Sequence, residues 1–396
     1  MRFLIPLILL FLISGCRPAT VPSDIQIGVD SIAKAFVPDS REGICDIGLS
    51  MPEGKKIIIK GETNFPEAKS DIIKYLKNSG FEVYDSLSVI PDTIVIKKPW
   101  GLVSVSVCNI KKSPSHSSEL LSQAILGTPV KILKKKSGWL LVQTPDYYIG
   151  WVNSSGIAEL NEKEITRWKR SERVIFIKKS GDILFESGND GILSDIVSGA
   201  ILEVTSRQNL YWGVVLPDGR RGKLNKADVA DFKQWSSSAT PDADKFILFS
   251  KSLLGSPYLW GGTSTKAMDC SGFVKTIYFT GGTILARDAS LQNLYGTKIS
   301  YSSSYETLLP GDLIMFGSMR EGKERITHVG MYIGDTEVIH CSGMVRINSL
   351  DSTRTNFSNY LKGTMMGVRR VIGTESGKGV EHIAKHNWYH FQDNQN

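Results

Sequence analysis

The sequence predicts an α+β fold made of several domains, and three observations support this prediction. The chain has 396 residues, which is more than a single hydrophobic core normally organises. A pattern that occurs twice between residues 96 and 235 predicts two small β-barrels. Residues 239–372 then combine a predicted helix near residue 271 with predicted strands near residues 330 and 340.

The N-terminus has the features of an export signal. Arg2 precedes an apolar run from Phe3 to Ile13, which is too short to remain as a membrane span. The run ends in Ser14-Gly15-Cys16 and resembles a bacterial lipoprotein signal, although that pattern prefers leucine where Ile13 stands. The resemblance implies a signal peptide over residues 1–16 and a lipid on Cys16. The protein would then be exported and anchored to a cell-envelope membrane, in the periplasm or at the cell surface. An ordinary cleaved signal peptide is the alternative.

We expect a polar tether over residues 17–27 and a small α/β domain over residues 28–95. Within that domain, residues 55–60 and 81–84 have strand patterns. A helix is predicted from Pro66 to Gly80, with Thr63 or Asn64 as its N-cap.

The repeat predicts barrels over residues 96–160 and 161–238. Each copy has a tryptophan strand, a Pro-Asp turn and a strand that opens on glycine. The matching positions are Trp139, Val142, Pro145-Asp146 and Gly150 in the first copy, and Trp212, Val215, Pro217-Asp218 and Gly222 in the second. Both copies resemble bacterial Src-homology-3-like barrels.

Cys270 is the predicted nucleophile. It stands in Asp269-Cys270-Ser271-Gly272, directly before an apolar helical face that begins at Phe273. A thiolate is the attacking form of cysteine, and the positive end of a helix dipole favours it. We therefore expect a lowered thiol pKa at this position.

Two histidines downstream complete a candidate triad, with His328 as the base and His340 as its orienting group. Both lie in predicted strands that are joined by a three-residue turn over residues 334–336. In such a hairpin, the residue numbers of directly paired residues have an even sum, so even-numbered residues of both strands share one face. His328 and His340 therefore lie on the same face, as diagonal neighbours.

Residues 239–372 resemble the NlpC-type cell-wall cysteine peptidases, a papain-like family. The resemblance rests on residues 255–262 (GSPYLWGG), 268–273 (MDCSGF), 309–313 (LPGDL) and 328–334 (HVGMYIG), and on His340. It implies hydrolysis of peptidoglycan stem peptides, commonly between D-glutamate and a diamino acid, without a cofactor. It also implies that Tyr258 lies on the oxyanion side, that Trp260 shapes the groove, and that Asp269 and Ser271 contact substrate.

The two barrels suggest the subgroup similar to dipeptidyl-peptidase VI. There a Glu and a Tyr of the first barrel recognise the free amine of an N-terminal L-alanine, which assigns Glu119 and Tyr148 to that role. Asp288, beside Ala289 and Ser290, is a further substrate-binding candidate. The alternatives are a solvated Glu, a core Tyr and an Asp that caps a helix.

Other functions were weighed against this one. A non-catalytic wall-binding lipoprotein and a papain-like amidase or acyltransferase remain open. The net charge of +7 is scattered, so a nucleic-acid partner is not expected. No metal-binding motif stands out, and the cysteines show no disulfide spacing. His382, His386 and His390 have helical spacing and predict a tail or packing helix over residues 373–396.

Overall fold

A computed structural model describes residues 20–186, 191–374 and 377–391. Within these ranges, no helix is both long and apolar enough to span a membrane. The predicted signal peptide and its Cys16 lie outside the described residues. The chain divides into two units after Ile90.

The first unit is a small α/β domain. Its elements are β1 (Cys45–Ser50), β2 (Lys56–Thr63), β3 (Glu82–Val89), α1 (Ser23–Phe36) and α2 (Pro66–Asn78). β1 is antiparallel to β2, whereas α2 connects β2 to the parallel strand β3. Buried Ile57, Ile59, Ile72 and Leu76 join the sheet to this helix.

Two predictions for this unit were wrong. The tether over residues 17–27 ends early because α1 begins at Ser23 and buries Ile25 and Val29 against the sheet. The N-cap position of α2 is held by Phe65. Thr63 accepts a hydrogen bond from the backbone N–H of Phe65 instead of capping the helix.

The first barrel forms one antiparallel sheet in the order β10-β4-β7-β8-β9-β5-β6. Its strands are β4 (Trp100–Val103), β5 (Val107–Lys111), β6 (Leu120–Ile125), β7 (Pro129–Lys136), β8 (Trp139–Gln143), β9 (Ile149–Asn153) and β10 (Ile157–Leu160). Alternate strand residues such as Ile110, Ile132 and Val142 fill its interior.

The second barrel repeats this plan in the order β13-β12-β16-β15-β14-β11-β17. Its strands are β11 (Arg173–Phe176), β12 (Ser180–Phe185), β13 (Ile192–Val197), β14 (Ile201–Arg207), β15 (Tyr211–Val215), β16 (Arg221–Asn225) and β17 (Val229–Asp231), with α3 (Glu162–Arg170) before them and α4 (Phe232–Ser238) after them. The repeated tryptophans, Trp139 and Trp212, are both buried, in strands β8 and β15.

The third region is a papain-like α+β domain. Its helices are α5 (Ala243–Ser252), α6 (Cys270–Thr280), α7 (Ala289–Gln292) and α8 (Asn359–Thr364). Its strands are β18 (Thr263–Ser264), β19 (Ala267–Met268), β20 (Thr283–Leu285), β21 (Thr297–Lys298), β22 (Leu313–Arg320), β23 (Lys323–Gly334), β24 (Glu337–Ser342), β25 (Met344–Ser349) and β26 (Met365–Arg370). The main sheet has the order β21-β26-β22-β23-β24-β25. The apolar face of α6, with Phe273 and Ile277, packs on Val329 and Met331 of β23.

The described part of the C-terminal segment, residues 377–391, forms a tail and not a packing helix. It contains β27 (Val380–His382), which pairs with β20, and a 3-10 helix over Ile383–Lys385. Trp388 and Tyr389 are buried in a cluster of aromatic residues from both barrels. Strand pairing and aromatic burial thus override the helical spacing of the histidines.

Candidate active site

Cys270 is the first residue of α6, as predicted. Asp269 occupies the N-cap position and accepts a hydrogen bond from the backbone N–H of Gly272 over 2.7 Å. The Cys270 side chain packs within the main core, and the residue is only 7% exposed. The helix start therefore holds the thiol at a fixed, largely dry position.

Burial raises the pKa of the Cys270 thiol to about 11, and the negative charge of Asp269 acts in the same direction. The backbone N–H groups of Val329 and Ser271 lower this pKa, but burial outweighs them. The expectation of a lowered thiol pKa was wrong. The loss of hydration destabilises a thiolate here more than the helix N-terminus stabilises it. The Cys270 thiol is therefore neutral at neutral pH.

His328 and His340 are directly hydrogen-bonded. Nε2 of His328 lies 2.8 Å from Nδ1 of His340, and the two rings are nearly perpendicular. The predicted hairpin face is confirmed. The turn differs, because Asp335 and Thr336 form a two-residue turn at positive φ and a bulge lies at Ile333. Beyond the bulge, the two strands pair in the same register that a three-residue turn would give.

The imidazole of His328 is neutral as well. Burial, together with the neighbouring His340, lowers the pKa of His328 to about 3. Because His340 occupies Nε2, the nitrogen that remains for the thiol is Nδ1. Val329, the next residue, presents its backbone N–H to the Cys270 sulfur, which places the base segment beside the nucleophile. Burial thus keeps both the thiol of Cys270 and the imidazole of His328 neutral.

Asn348 is a polar residue of this site that the sequence reasoning missed. Its Oδ1 lies 3.0 Å from Nε2 of His340, and its Nδ2 donates to the carbonyl oxygen of Asn356. A signal for it existed. In the β24–β25 hairpin His340 pairs with Arg346, so Asn348 shares the face of His340 by parity.

Asp269 and Ser271 have partners inside the protein. Arg287 is 1% exposed and donates to both carboxylate oxygens of Asp269, over 2.6 and 3.1 Å, and to the Ser271 hydroxyl. Its Nε donates to the Ser122 hydroxyl of the first barrel. Burial opposes the charge of Arg287, but Asp269 outweighs burial and raises the pKa of this guanidinium. This geometry favours a positioning role for both side chains.

Tyr148 and Asp288 meet across the boundary between barrel and peptidase domain. The Tyr148 hydroxyl donates to Oδ2 of Asp288 over 3.1 Å. Asp288 holds the N-cap position of α7, yet its side chain makes no capping hydrogen bond. The helix-capping alternative is therefore excluded for this carboxylate. Ser290 lies on α7 and is partly buried.

Glu119 is in a loop directly before β6, not in a helix. Its Oε1 accepts from the Trp260 indole over 3.2 Å, and its Oε2 pairs with Lys112 over 3.3 Å. Trp260 is 62% exposed, so this pair lies at an open rim. Leu121, two residues later, packs against Tyr148. The loop and the first residues of β6 thereby connect the rim to the more buried Tyr148–Asp288 pair.

Tyr258 is near the nucleophile and is protonated. Burial raises the pKa of Tyr258 to about 12, and Cys270 and Asp269 add to this effect. A phenol in this state donates a hydrogen bond. Among the described residues, no cluster of His, Cys, Asp or Glu has the arrangement of a metal site. Each of the four cysteines in these residues is a free thiol.

Two family models match parts of this chain. The model of the NlpC/P60 family matches residues 255–370, and that of the bacterial dipeptidyl-peptidase Sh3 domain matches residues 110–157. A gamma-D-glutamyl-L-lysine dipeptidyl-peptidase of Bacillus cereus is 32% identical over 267 residues, covering 65% of this chain and 77% of that protein. Dipeptidyl-peptidase 6 of Lysinibacillus sphaericus is 25% identical over 286 residues, covering 68% of this chain and 98% of that protein.

A solved structure shows the same architecture. The crystal structure of an NlpC/P60 family protein from Bacillus cereus superposes with a TM-score of 0.60 at 26% identity, covering 69% of this chain and 99% of that one. The chain belongs to the NlpC/P60 family and is a cysteine peptidase.

Proposed function

We propose that the protein hydrolyses the bond between γ-D-glutamate and the following diamino acid in peptidoglycan stem peptides. We further propose that it prefers free peptides with an N-terminal L-alanine, which suits the recycling of wall fragments. The observation that carries this proposal is the hydrogen bond between Tyr148 and Asp288, which sets a carboxylate from the peptidase domain against a barrel phenol. The names of the dipeptidyl-peptidase relatives support the same bond.

Cys270 attacks the γ-glutamyl carbonyl carbon while His328 takes the thiol proton on Nδ1. Because burial disfavours a lone thiolate and a lone imidazolium alike, proton transfer accompanies the attack. The resulting imidazolium is stabilised by Nδ1 of His340, which accepts from Nε2 of His328. His328 then passes the proton to the leaving amine of the diamino acid. Water releases the acyl group from the sulfur in the second half of the reaction.

The oxyanion of the tetrahedral intermediate forms beside two donors. The backbone N–H of Cys270 stands at the first turn of α6, where N–H groups have no partner within the helix. The phenol of Tyr258 stays protonated because burial raises its pKa to about 12. Fixed donors of this kind stabilise developing negative charge more than the ground-state carbonyl.

The amine pocket is built from the first barrel and α7. Asp288 supplies the counter-charge for the ammonium of L-alanine, and Tyr148 orients this carboxylate. Glu119 acts from the rim, where Lys112 already compensates part of its charge. Asp288 should therefore contribute more than Glu119 to amine recognition. A peptide still joined to a sugar lacks the ammonium and carries bulk at this end.

We also propose that Cys16 is lipidated and anchors the protein to a membrane of the cell envelope. The support is the apolar run before Ser14-Gly15-Cys16. Cys16→Ser should release the protein into the soluble fraction or leave an uncleaved precursor. Metabolic labelling with a fatty-acid analogue should mark the wild-type protein and spare the variant. An unlabelled wild-type protein would refute the anchor.

The proposed reaction is tested by digesting defined peptides. The substrates are two tripeptides in which L-Ala-γ-D-Glu is joined to lysine or to diaminopimelate. Each is incubated with the enzyme, and the products are identified by mass spectrometry. The expected products are L-Ala-D-Glu and the free diamino acid. Cys270→Ala is the control, and it should lose on the order of 10³-fold or more of the activity. Cleavage at another bond, or activity retained in folded Cys270→Ala protein, would refute the proposal.

A further inference from the structure

Asn348 contacts the ring nitrogen of His340 that His328 does not use. Its Oδ1 lies 3.0 Å from Nε2 of His340, whereas His328 is bonded to Nδ1 of the same ring. Asn348 belongs to β25 and reaches the triad only through His340. The hydrogen bonds of Asn348 determine which ring nitrogens of His340 and His328 carry a proton.

The donor and acceptor of each hydrogen bond in this series follow from its last member, the carbonyl oxygen of Asn356. The carbonyl oxygen of Asn356 can only accept, so Nδ2 of Asn348 faces it over 3.0 Å. Oδ1 of Asn348 then accepts from Nε2–H of His340. A neutral imidazole has a single N–H, so Nδ1 of His340 must accept from Nε2–H of His328. Nδ1 of His328 is then the unprotonated nitrogen, which can accept the thiol proton.

The Asn356 carbonyl is itself held in place. It also accepts from the backbone N–H of Ser349 over 2.9 Å, and the Asn356 side chain donates to Glu337. The loop over residues 350–358 therefore presents a fixed acceptor to Asn348. If the Asn348 amide rotated by 180°, it would lose its hydrogen bond to the Asn356 carbonyl. Its Nδ2–H would then face the Nε2–H of His340, so two donors would oppose each other.

We propose that Asn348 is a positioning residue that fixes the tautomers of His340 and His328 and so keeps Nδ1 of His328 available as the base. This inference rests on the proposed roles of Cys270 and His328. A neutral amide suits this task better than a carboxylate, because a carboxylate would stabilise a charged His340.

A charged His340 would remove the base. Its Nδ1 would then donate to Nε2 of His328, and the proton of His328 would have to sit on Nδ1, facing the thiol. Burial lowers the pKa of His340 and so keeps this ring neutral. The hydrogen bond to Asn348 acts to raise this pKa, whereas Arg346, opposite His340 on β25, acts to lower it. On the other side, the negative charge of Asp269 at the α6 N-terminus acts to raise the pKa of His328, but burial outweighs it.

Asn348→Asp tests the inference because it changes charge at nearly constant shape. At neutral pH its kcat should fall by on the order of 10²-fold with KM unchanged, since a wrong tautomer blocks proton transfer and Asn348 does not touch substrate. The acid limb of its pH profile should move to higher pH, and activity should recover on the alkaline side. Asn348→Leu should lose less activity and keep the acid limb in place. Asn225→Asp, the same charge change in the second barrel, should behave as wild type.

A second readout does not depend on turnover. Nitrogen-15 NMR of the resting enzyme should show His328 with its proton on Nε2, and Asn348→Asp should move that proton to Nδ1. Equal losses in Asn348→Asp and Asn348→Leu with an unmoved acid limb would overturn the inference, as would an Nδ1–H His328 in the wild type. Activity retained in Cys270→Ala would instead refute the proposed function, so the two failures are distinguishable.

Discussion

The hydroxyl of Tyr148 donates a hydrogen bond to the carboxylate of Asp288, and these residues stand 140 positions apart in the sequence. One belongs to the first barrel and the other to the start of α7. Leu121 of the barrel and Leu291 of α7 pack around the tyrosine. The first barrel therefore packs directly on the peptidase domain, next to Arg287, which holds Asp269 at the start of α6.

Asp288→Asn should raise the KM for peptides with a free N-terminal amine by roughly 10- to 100-fold, because a charged hydrogen bond of about 1.5–3 kcal/mol is lost. Tyr148→Phe should raise KM less, since it removes the orienting group and leaves the charge. Glu119→Gln should fall between Tyr148→Phe and wild type. Tyr211→Phe, a matched change in the second barrel, should have no effect. Steady-state kinetics on one free tripeptide rank all four variants, and a larger effect of Glu119→Gln than of Asp288→Asn would reverse the assigned roles.

His328→Ala should be the weaker enzyme compared with His340→Ala. His328 moves the proton, whereas His340 holds the ring that moves it, and removal of an orienting group still costs several orders of magnitude. Both variants need a fold check by circular dichroism, since both rings are at least partly buried. Lower kcat/KM in His340→Ala than in His328→Ala would reverse the two roles.

Alkylation of Cys270 by iodoacetamide should accelerate about tenfold per pH unit from pH 6 upward. The thiolate is the reacting form, and burial raises the pKa of this thiol to about 11, so its fraction grows throughout this range. Peptide mapping separates Cys270 from Cys45, the partly exposed thiol of the first unit. A rate that is already constant near pH 7 would show a thiolate–imidazolium pair at rest and contradict the neutral pair.

Arg287→Ala should lower the free energy of unfolding by about 3–5 kcal/mol, because it leaves the buried Asp269 carboxylate without its partner. Arg287→Lys should recover only part of this loss, since an ammonium cannot donate to both carboxylate oxygens and to Ser122 in the same geometry. Urea denaturation measures both variants. Unfolding free energies within about 0.5 kcal/mol of wild type would show that this ion pair does not hold the start of α6.

The triad histidines could be predicted because their relationship is local. His328 and His340 are 12 residues apart in one hairpin, where side chains alternate between faces, so parity decides the face. The bulge at Ile333 compensated for the shorter turn. The same parity on the next hairpin would have placed Asn348 beside His340.

The rest depends on how distant segments dock. No periodicity relates Arg287 to Ser122, or Tyr148 to Asp288, because these contacts form only once the barrel packs on the peptidase domain. The raised pKa of Cys270 has the same origin, since burial is a tertiary property. The early start of α1 was different, because Ile25 and Val29 already have helical spacing in the sequence.

The central claim is that the carboxylates of Asp288 and Glu119 recognise the free amine of the substrate. It is tested most directly by comparing kcat/KM for L-Ala-γ-D-Glu-L-Lys and its N-acetylated form with the wild-type enzyme. The N-acetylated peptide cannot donate a charged hydrogen bond from its amine to Asp288, a bond worth about 1.5–3 kcal/mol, so the free peptide should be preferred by at least about 10-fold. Equal turnover of the two peptides would contradict the amine pocket while leaving the cysteine mechanism intact.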